Sequence, residues 1–212
     1  MPATDGPLRG RQAQAALNDE TILQAAREVF LADPAAPISA VAERAKVGIG
    51  ALYHRYASKE ELLRTLCRQG QQVYIAEIEA ALDSPLEPWD AFVAYLGRIV
   101  AANTHGLTVR LAGTFTPTAE MFAIAERMHE LGITMFERVQ ATGKLRSDIT
   151  YLDVEYLLEF LATVRLGNPS RSAALRQRHL TIIIDGLRTD RPTALPGDPP
   201  TWAEQTERWT AH

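Results

Sequence analysis

The residues that most constrain this chain run from Ile38 to Leu66, ISAVAERAKVGIGALYHRYASKEELLRTL. They hold three short helical patterns separated by two brief breaks. Ser39 can accept a hydrogen bond from backbone amides at a helix start, and Val41, Ala42 and Ala45 then recur at helical spacing. Lys46-Val47-Gly48 closes that helix, with the glycine expected to supply the conformation of a tight turn. Ile49 to Tyr56 reads as a second helix that turns Leu52 and Tyr56 to one side and Ile49, Gly50, Tyr53 and His54 to the other. Ser58-Lys59-Glu60-Glu61 has the form of a capping box and starts a third helix, Lys59 to about Gln69. Two short helices joined by a tight turn, the second with a small and aromatic outer face, make a helix-turn-helix candidate.

With Asn18 to Leu31 before it, this stretch resembles the DNA-binding domain of the tetracycline-repressor (TetR) family of bacterial transcription regulators. The resemblance is carried by Ile22, Ala25, Ala26 and Phe30, by VAERAKVGIGALYHRYASKEELL, and chiefly by Leu52-Tyr53, Tyr56 and Ser58-Lys59. It is close over roughly residues 18–66 and looser beyond. It implies an all-α chain that binds a pseudo-palindromic DNA operator as a homodimer, more often as a repressor, under the control of a small-molecule effector. It also implies that Tyr53 and Lys59 bind phosphates.

Composition allows this reading. The 212 residues, 46% of them hydrophobic, suffice for a buried core, and Cys67 is the only cysteine, which excludes an internal disulfide and a cysteine metal cluster. No apolar run approaches the roughly 18–20 residues that span a bilayer, and MPATDGPLRGRQ is not of signal-peptide type, so the expected location is cytoplasmic with no membrane partner. The net charge of −4 is unevenly distributed: the first 68 residues are slightly basic and the remainder is acidic.

Four segments follow from the patterning. Residues 1–17 lack apolar periodicity and read as a flexible arm; 18–69 form the helix-turn-helix domain. Residues 70–190 show only helical periods and form the ligand-binding and dimerisation domain, with Gly70 as a bend before a connecting helix over about 71–82. The apolar positions between Pro117 and Gly143 are too many for one narrow face, which predicts a helix buried on more than one side. Residues 191–212 are a Pro-rich tail with a possible short helix carrying Trp202 and Trp209, at least one of which is expected to dock.

In a major groove the outer face of the second short helix meets base edges. Ile49, Gly50 and Ala51 offer methyl contact and close backbone approach but no side-chain donor; Tyr53, His54 and Arg55 are the polar candidates, and Ser39 a phosphate contact. Gly48 completes the set at the turn. Among polar and aromatic residues on the later apolar helices, His105, Arg110 and Phe122 are the candidates for the effector. No cofactor or metal is implied: His54, His105, His129, His179 and His212 form no ligand spacing, and no His-Glu-x-x-His, Gly-x-Ser-x-Gly, Walker or Rossmann fingerprint occurs. A small-molecule-metabolising helical enzyme and a protein-binding helical module without DNA contact are the alternatives.

Overall fold

The structure, a computed structural model, describes residues 6–188 and 192–210. The chain divides between Leu66 and Cys67 into two compact units. Among the described residues it contains ten helices and no strand; a lone antiparallel bridge joins Leu145 to Arg188.

The first unit comprises α1 (Gly6–Ala32), α2 (Ile38–Ala45), α3 (Ile49–Arg55) and the first turns of α4 (Lys59–Leu82). Helix α1 begins at Gly6, so the segment expected as an arm over 1–17 is largely helical, and residues 1–5 lie outside the described set. Leu8 to Leu17 is mostly Ala, Gln, Arg and Leu, all strong helix formers, so intrinsic propensity extends the helix where no apolar period signals it. From Asp19 onward, the described buried residues of α1 are Ile22, Leu23, Ala25, Ala26 and Phe30. After Ala32 the Asp33 carboxylate accepts from the Ala35 amide at 2.9 Å, a local turn that sends the chain into α2.

Two turn residues differ from expectation. The residue preceding α2 is Pro37, and Ser39 lies inside the first turn rather than capping it. The turn between α2 and α3 places Lys46, not the glycine, in the left-handed region, at φ 57° and ψ 39°. Gly48 is extended, at φ −65° and ψ 139°. The Val47 amide donates to Ala42 O at 3.0 Å, and this closure sets the left-handed position one residue after Ala45. Lys46→Gly should therefore stabilise the unit by about 0.5–1 kcal/mol, read as a higher urea midpoint.

Helix α3 turns Leu52 fully inward, and Tyr56, extended and buried, ends it. Ser58 and Glu61 both satisfy end amides of α4, though not as a strict capping box: the Glu61 amide donates to Ser58 Oγ at 3.1 Å, and the Glu61 carboxylate accepts from the amide of Ala57, the residue before the cap, at 2.7 Å. Helix α4 then runs unbroken through Gly70, where a bend was expected. One helical glycine costs about 1 kcal/mol against alanine. Burial of Leu62, Leu63 and Leu66 on one side of it and of Tyr74, Ile78 and Ala81 on the other outweighs that.

The second unit takes the rest of α4, then α5 (Pro88–Ala102), α6 (Thr104–Leu111), α7 (Ala119–Gln140), α8 (Tyr151–Ala162), α9 (Pro169–Leu187) and α10 (Trp202–Thr210). Its core draws Tyr74 and Ile78 from α4, Phe92, Tyr95, Leu96 and Ile99 from α5, Met135, Phe136 and Val139 from α7, and Val154, Leu158 and Leu161 from α8. Helix α7 has one buried face, not several: Met121, Gly132, Met135, Phe136 and Val139 are buried, whereas Ile133 lies outside. The surplus apolar positions Phe122, Ala125 and Met128 are half-buried because they line a cavity. No described helix is long and apolar enough to cross a membrane.

Candidate functional site

In the first unit the burial of Leu52 fixes which side of α3 faces out. Gly48, Ile49, Gly50, Ala51, Tyr53 and His54 are all exposed, Ile49 at 44% and Tyr53 at 50%. An added Cβ at Gly48 or Gly50 would meet nothing within 4 Å, so another backbone can approach closely there. Ser39 is exposed on α2. The polar groups of the α3 outer face are one phenol and one imidazole.

The two cations of this set are held within the unit. Arg55 forms an ion pair with Asp19 of α1. The Lys59 ammonium donates to Pro34 O at 2.9 Å and sits 5.2 Å from the centroid of the Phe30 ring. Neither partner is legible from sequence spacing, since Asp19 and Pro34 are 36 and 25 residues away.

The second unit contains a partly open cavity of about 130 Å³. Helix α4 contributes Gln71 and Tyr74, α6 contributes His105, α7 Met121, Phe122, Met128 and His129, and α8 Tyr151, Glu155 and Glu159. The remaining wall is α10, with Trp202, Gln205, Arg208 and Trp209. This helix docks through the Trp202 ring, stacked on His129 at 4.1 Å and 11°, and through Trp209, 6.1 Å from Phe115. Arg208 binds Glu159 with both terminal nitrogens, at 2.7 and 2.5 Å, the bidentate form that planar guanidinium and carboxylate favour.

One side of the cavity is a polar network. Glu155 accepts from the Tyr74 hydroxyl at 3.0 Å and faces His105 Nε2 at 3.1 Å; the Tyr74 and Tyr151 hydroxyls are 2.5 Å apart. Burial, with Glu155 adding to it, pushes the Tyr74 and Tyr151 phenols well above their ordinary range. Both phenols therefore stay protonated and act as donors. Burial lowers His129, which stacks under Trp202. Among the described residues no group of three or more His, Cys, Asp or Glu side chains is placed to hold a metal ion.

Of the three candidate effector residues, His105 and Phe122 line the cavity, and Arg110 sits in the last turn of α6 without lining it. Sequence reading missed Glu155 and Glu159. A signal existed: in YLDVEYLLEFLA the two acids are four apart, on the same side as the buried Leu152 and Leu158. Carboxylates on the core side of a helix mark a polar interior.

A helix-turn-helix with a small, exposed reading face, in a chain whose later helices line such a cavity, has the layout of a DNA-binding transcriptional regulator rather than an enzyme. The family comparisons agree. The model for bacterial regulatory proteins of the tetR family matches residues 22–66, and that for the C-terminal domain of SbtR-like transcriptional regulators matches residues 87–189. The chain belongs to the TetR family. It is 26% identical over 196 residues to the HTH-type transcriptional regulator UidR of Escherichia coli K12, covering 84% of this chain and 96% of that one. Its fold is similar to the TetR regulator SCO0520 of Streptomyces coelicolor, at 26% identity and TM-score 0.55 over 82% of this chain and 99% of that one. It is also similar to the ketosteroid regulator KstR2 of Mycobacterium tuberculosis, at 20% identity and TM-score 0.61 over 82% and 95%.

Proposed function

We propose that this regulator is a cytoplasmic repressor that binds a pseudo-palindromic operator as a homodimer, and that a small molecule in the cavity of the second unit changes its DNA affinity. The observation that carries the DNA reading is the division of α3: Leu52 is fully buried while Ile49 and Tyr53 are about half exposed. On this reading Tyr53, Ser39 and Lys59 contact phosphates, His54 meets base edges, and Ile49, Gly50 and Ala51 supply methyl and backbone contact with Gly48 at the turn. Lys59 reaches a phosphate by leaving Pro34 O. Arg55 contributes by holding α3 to Asp19 of α1 rather than by reading bases.

The homodimer is supported by apolar side chains at the surface of the second unit: Phe160 on α8 at 64% exposure, Leu166 at 62% and Ile182 on α9 at 60%. Phe160→Glu is expected to convert the dimer to monomer in sedimentation analysis and to weaken operator binding with it.

Gel shift on the intergenic DNA next to the gene tests the function itself, and no shift at low salt would sink the reading. Lys59→Ala should weaken binding to all sequences and reduce the log–log salt slope by about 1 per lost contact. His54→Ala should instead change the order of preference among operator variants, by about 1–3 kcal/mol at the contacted base pair. An unaltered salt slope in the Lys59 variant would remove Lys59 from the phosphate contacts.

A further inference from the structure

We propose that the cavity of the second unit selects a small planar ligand rich in hydrogen-bond donors, prefers a cation over its neutral and anionic counterparts, and holds it beneath α10. This inference rests on reading the cavity as the effector site, and it goes further by assigning the effector's chemistry. Three features of the cavity carry it.

The first is charge. Two carboxylates, Glu155 and Glu159, line the cavity, each less than a tenth exposed, and the permanent cation there is Arg208. Both terminal nitrogens of Arg208 are engaged by Glu159, whereas Glu155 is met by a phenol and an imidazole. A ligand anion would have to enter next to a buried carboxylate whose neighbouring guanidinium, Arg208, is already bound bidentate by Glu159. A ligand cation would gain that carboxylate as a partner, and like charges in a poorly solvated site are costly.

The second is the set of buried polar atoms that lack a partner. Gln71 Oε1, Gln205 Oε1, His129 Nδ1 and Arg208 Nε are all on lining residues. The Gln71 amide is oriented by its nitrogen, which donates to Met121 O at 3.1 Å, so its oxygen is the atom left to accept. Buried polar groups are rarely left unpaired in folded proteins; Arg208 Nε can only donate, but the two amide oxygens can only accept and outnumber it, which favours donors on an occupant that shifts these side chains to meet it.

The third is shape. About 130 Å³ is close to the roughly 150 Å³ of a cavity that takes benzene. Its walls present flat rings: the parallel His129–Trp202 pair, Tyr151 with its ring 5.7 Å from His129, and Phe122 and Trp209. Such walls suit a single aromatic ring with a short polar substituent.

Benzamidine, benzamide and benzoate test this, since they share one ring and one size and carry charges of about +1, 0 and −1 at neutral pH. Binding to the full-length protein is measured by calorimetry and by thermal shift. The expected order is benzamidine, then benzamide, then benzoate, with benzamidine at least tenfold tighter than benzoate. Glu155→Gln should close most of that gap while keeping benzamide binding, because glutamine still accepts from Tyr74. Trp202→Ala should weaken the ligands that bind by a common factor. Benzoate binding as well as benzamidine, or an undiminished gap in Glu155→Gln, overturns the charge preference; failure of all three to bind overturns the assigned size and shape. The comparison within the unaltered protein decides the proposal even if Glu155→Gln folds poorly. Gel shift with bound benzamidine separates the two claims. Tight binding without any change in operator affinity overturns the effector role and leaves the cavity's chemistry standing.

Discussion

Leu52→Ala is expected to destabilise the helix-turn-helix unit by about 2–5 kcal/mol, while Tyr53→Ala, one residue along, leaves stability within about 0.5 kcal/mol of the parent. The difference follows from orientation alone. Leu52 has no exposed surface, and truncating it leaves a cavity where α3 meets the rest of the unit. Tyr53 is half exposed, with its ring out toward solvent. The order reverses for DNA: Tyr53→Ala should lower operator affinity at least tenfold, about 1.4 kcal/mol, in a protein that melts normally. The tryptophans Trp89, Trp202 and Trp209 all lie in the second unit. In urea, Leu52→Ala should therefore move the far-ultraviolet circular dichroism transition to lower denaturant further than the tryptophan fluorescence transition. A Tyr53 variant that melts early, or one that binds operator at parental affinity, would remove Tyr53 from the DNA-facing surface.

That contrast was legible in the sequence because helical periodicity and local hydrogen bonding are short-range. Leu52 and Tyr56 recur at i and i+4, and Ser58 and Glu61 are three apart, so each pairing is contained within about one turn. The same holds for the start of α8, where the Thr150 amide donates to the Asp153 carboxylate at 2.6 Å. What sequence reading misplaced depends on competition between weak local terms or on distant partners. The left-handed residue of the turn is Lys46 because the closure of α2 falls there, and the nearby glycine serves in an extended conformation instead. Gly70 leaves α4 unbroken because packing on both sides outweighs its propensity. Arg55 is fixed by an aspartate two helices earlier, and the cavity forms only when α4, α6, α7, α8 and α10 converge. His105 and Phe122 could be picked out as polar and aromatic residues on apolar helices, but Arg110 satisfied the same criterion and lies elsewhere. Residue type does not reveal which side of a short helix faces a cavity.

Gly132→Ala is expected to cost about 2–4 kcal/mol, an unusual penalty for a substitution that favours a helix by about 1 kcal/mol in isolation. Gly132 is buried in α7, and a Cβ there would overlap Cζ and Cε2 of the Tyr151 ring and lie 2.6 Å from its hydroxyl. The ring cannot yield cheaply, because its hydroxyl is 2.5 Å from that of Tyr74, which in turn donates to Glu155. Moving it strands buried phenols, at about 1–3 kcal/mol for each group left unpaired. A double-mutant cycle identifies the cause. In a Tyr151→Ala background the alanine at 132 has room, so Gly132→Ala should turn neutral or stabilising by up to about 1 kcal/mol. In a Tyr151→Phe background the ring remains but its hydroxyl tether to Tyr74 is gone, so the penalty should fall to between the parent and Tyr151→Ala values. Equal penalties in the parent and Tyr151→Ala proteins would mean that something other than this ring makes glycine necessary. The same displacement reshapes the cavity, because Tyr151 is part of its wall. Gly132→Ala protein that still folds should therefore bind benzamidine at least tenfold more weakly than the parent. In this way a glycine with no side chain sets the position of the network that gives the cavity its charge.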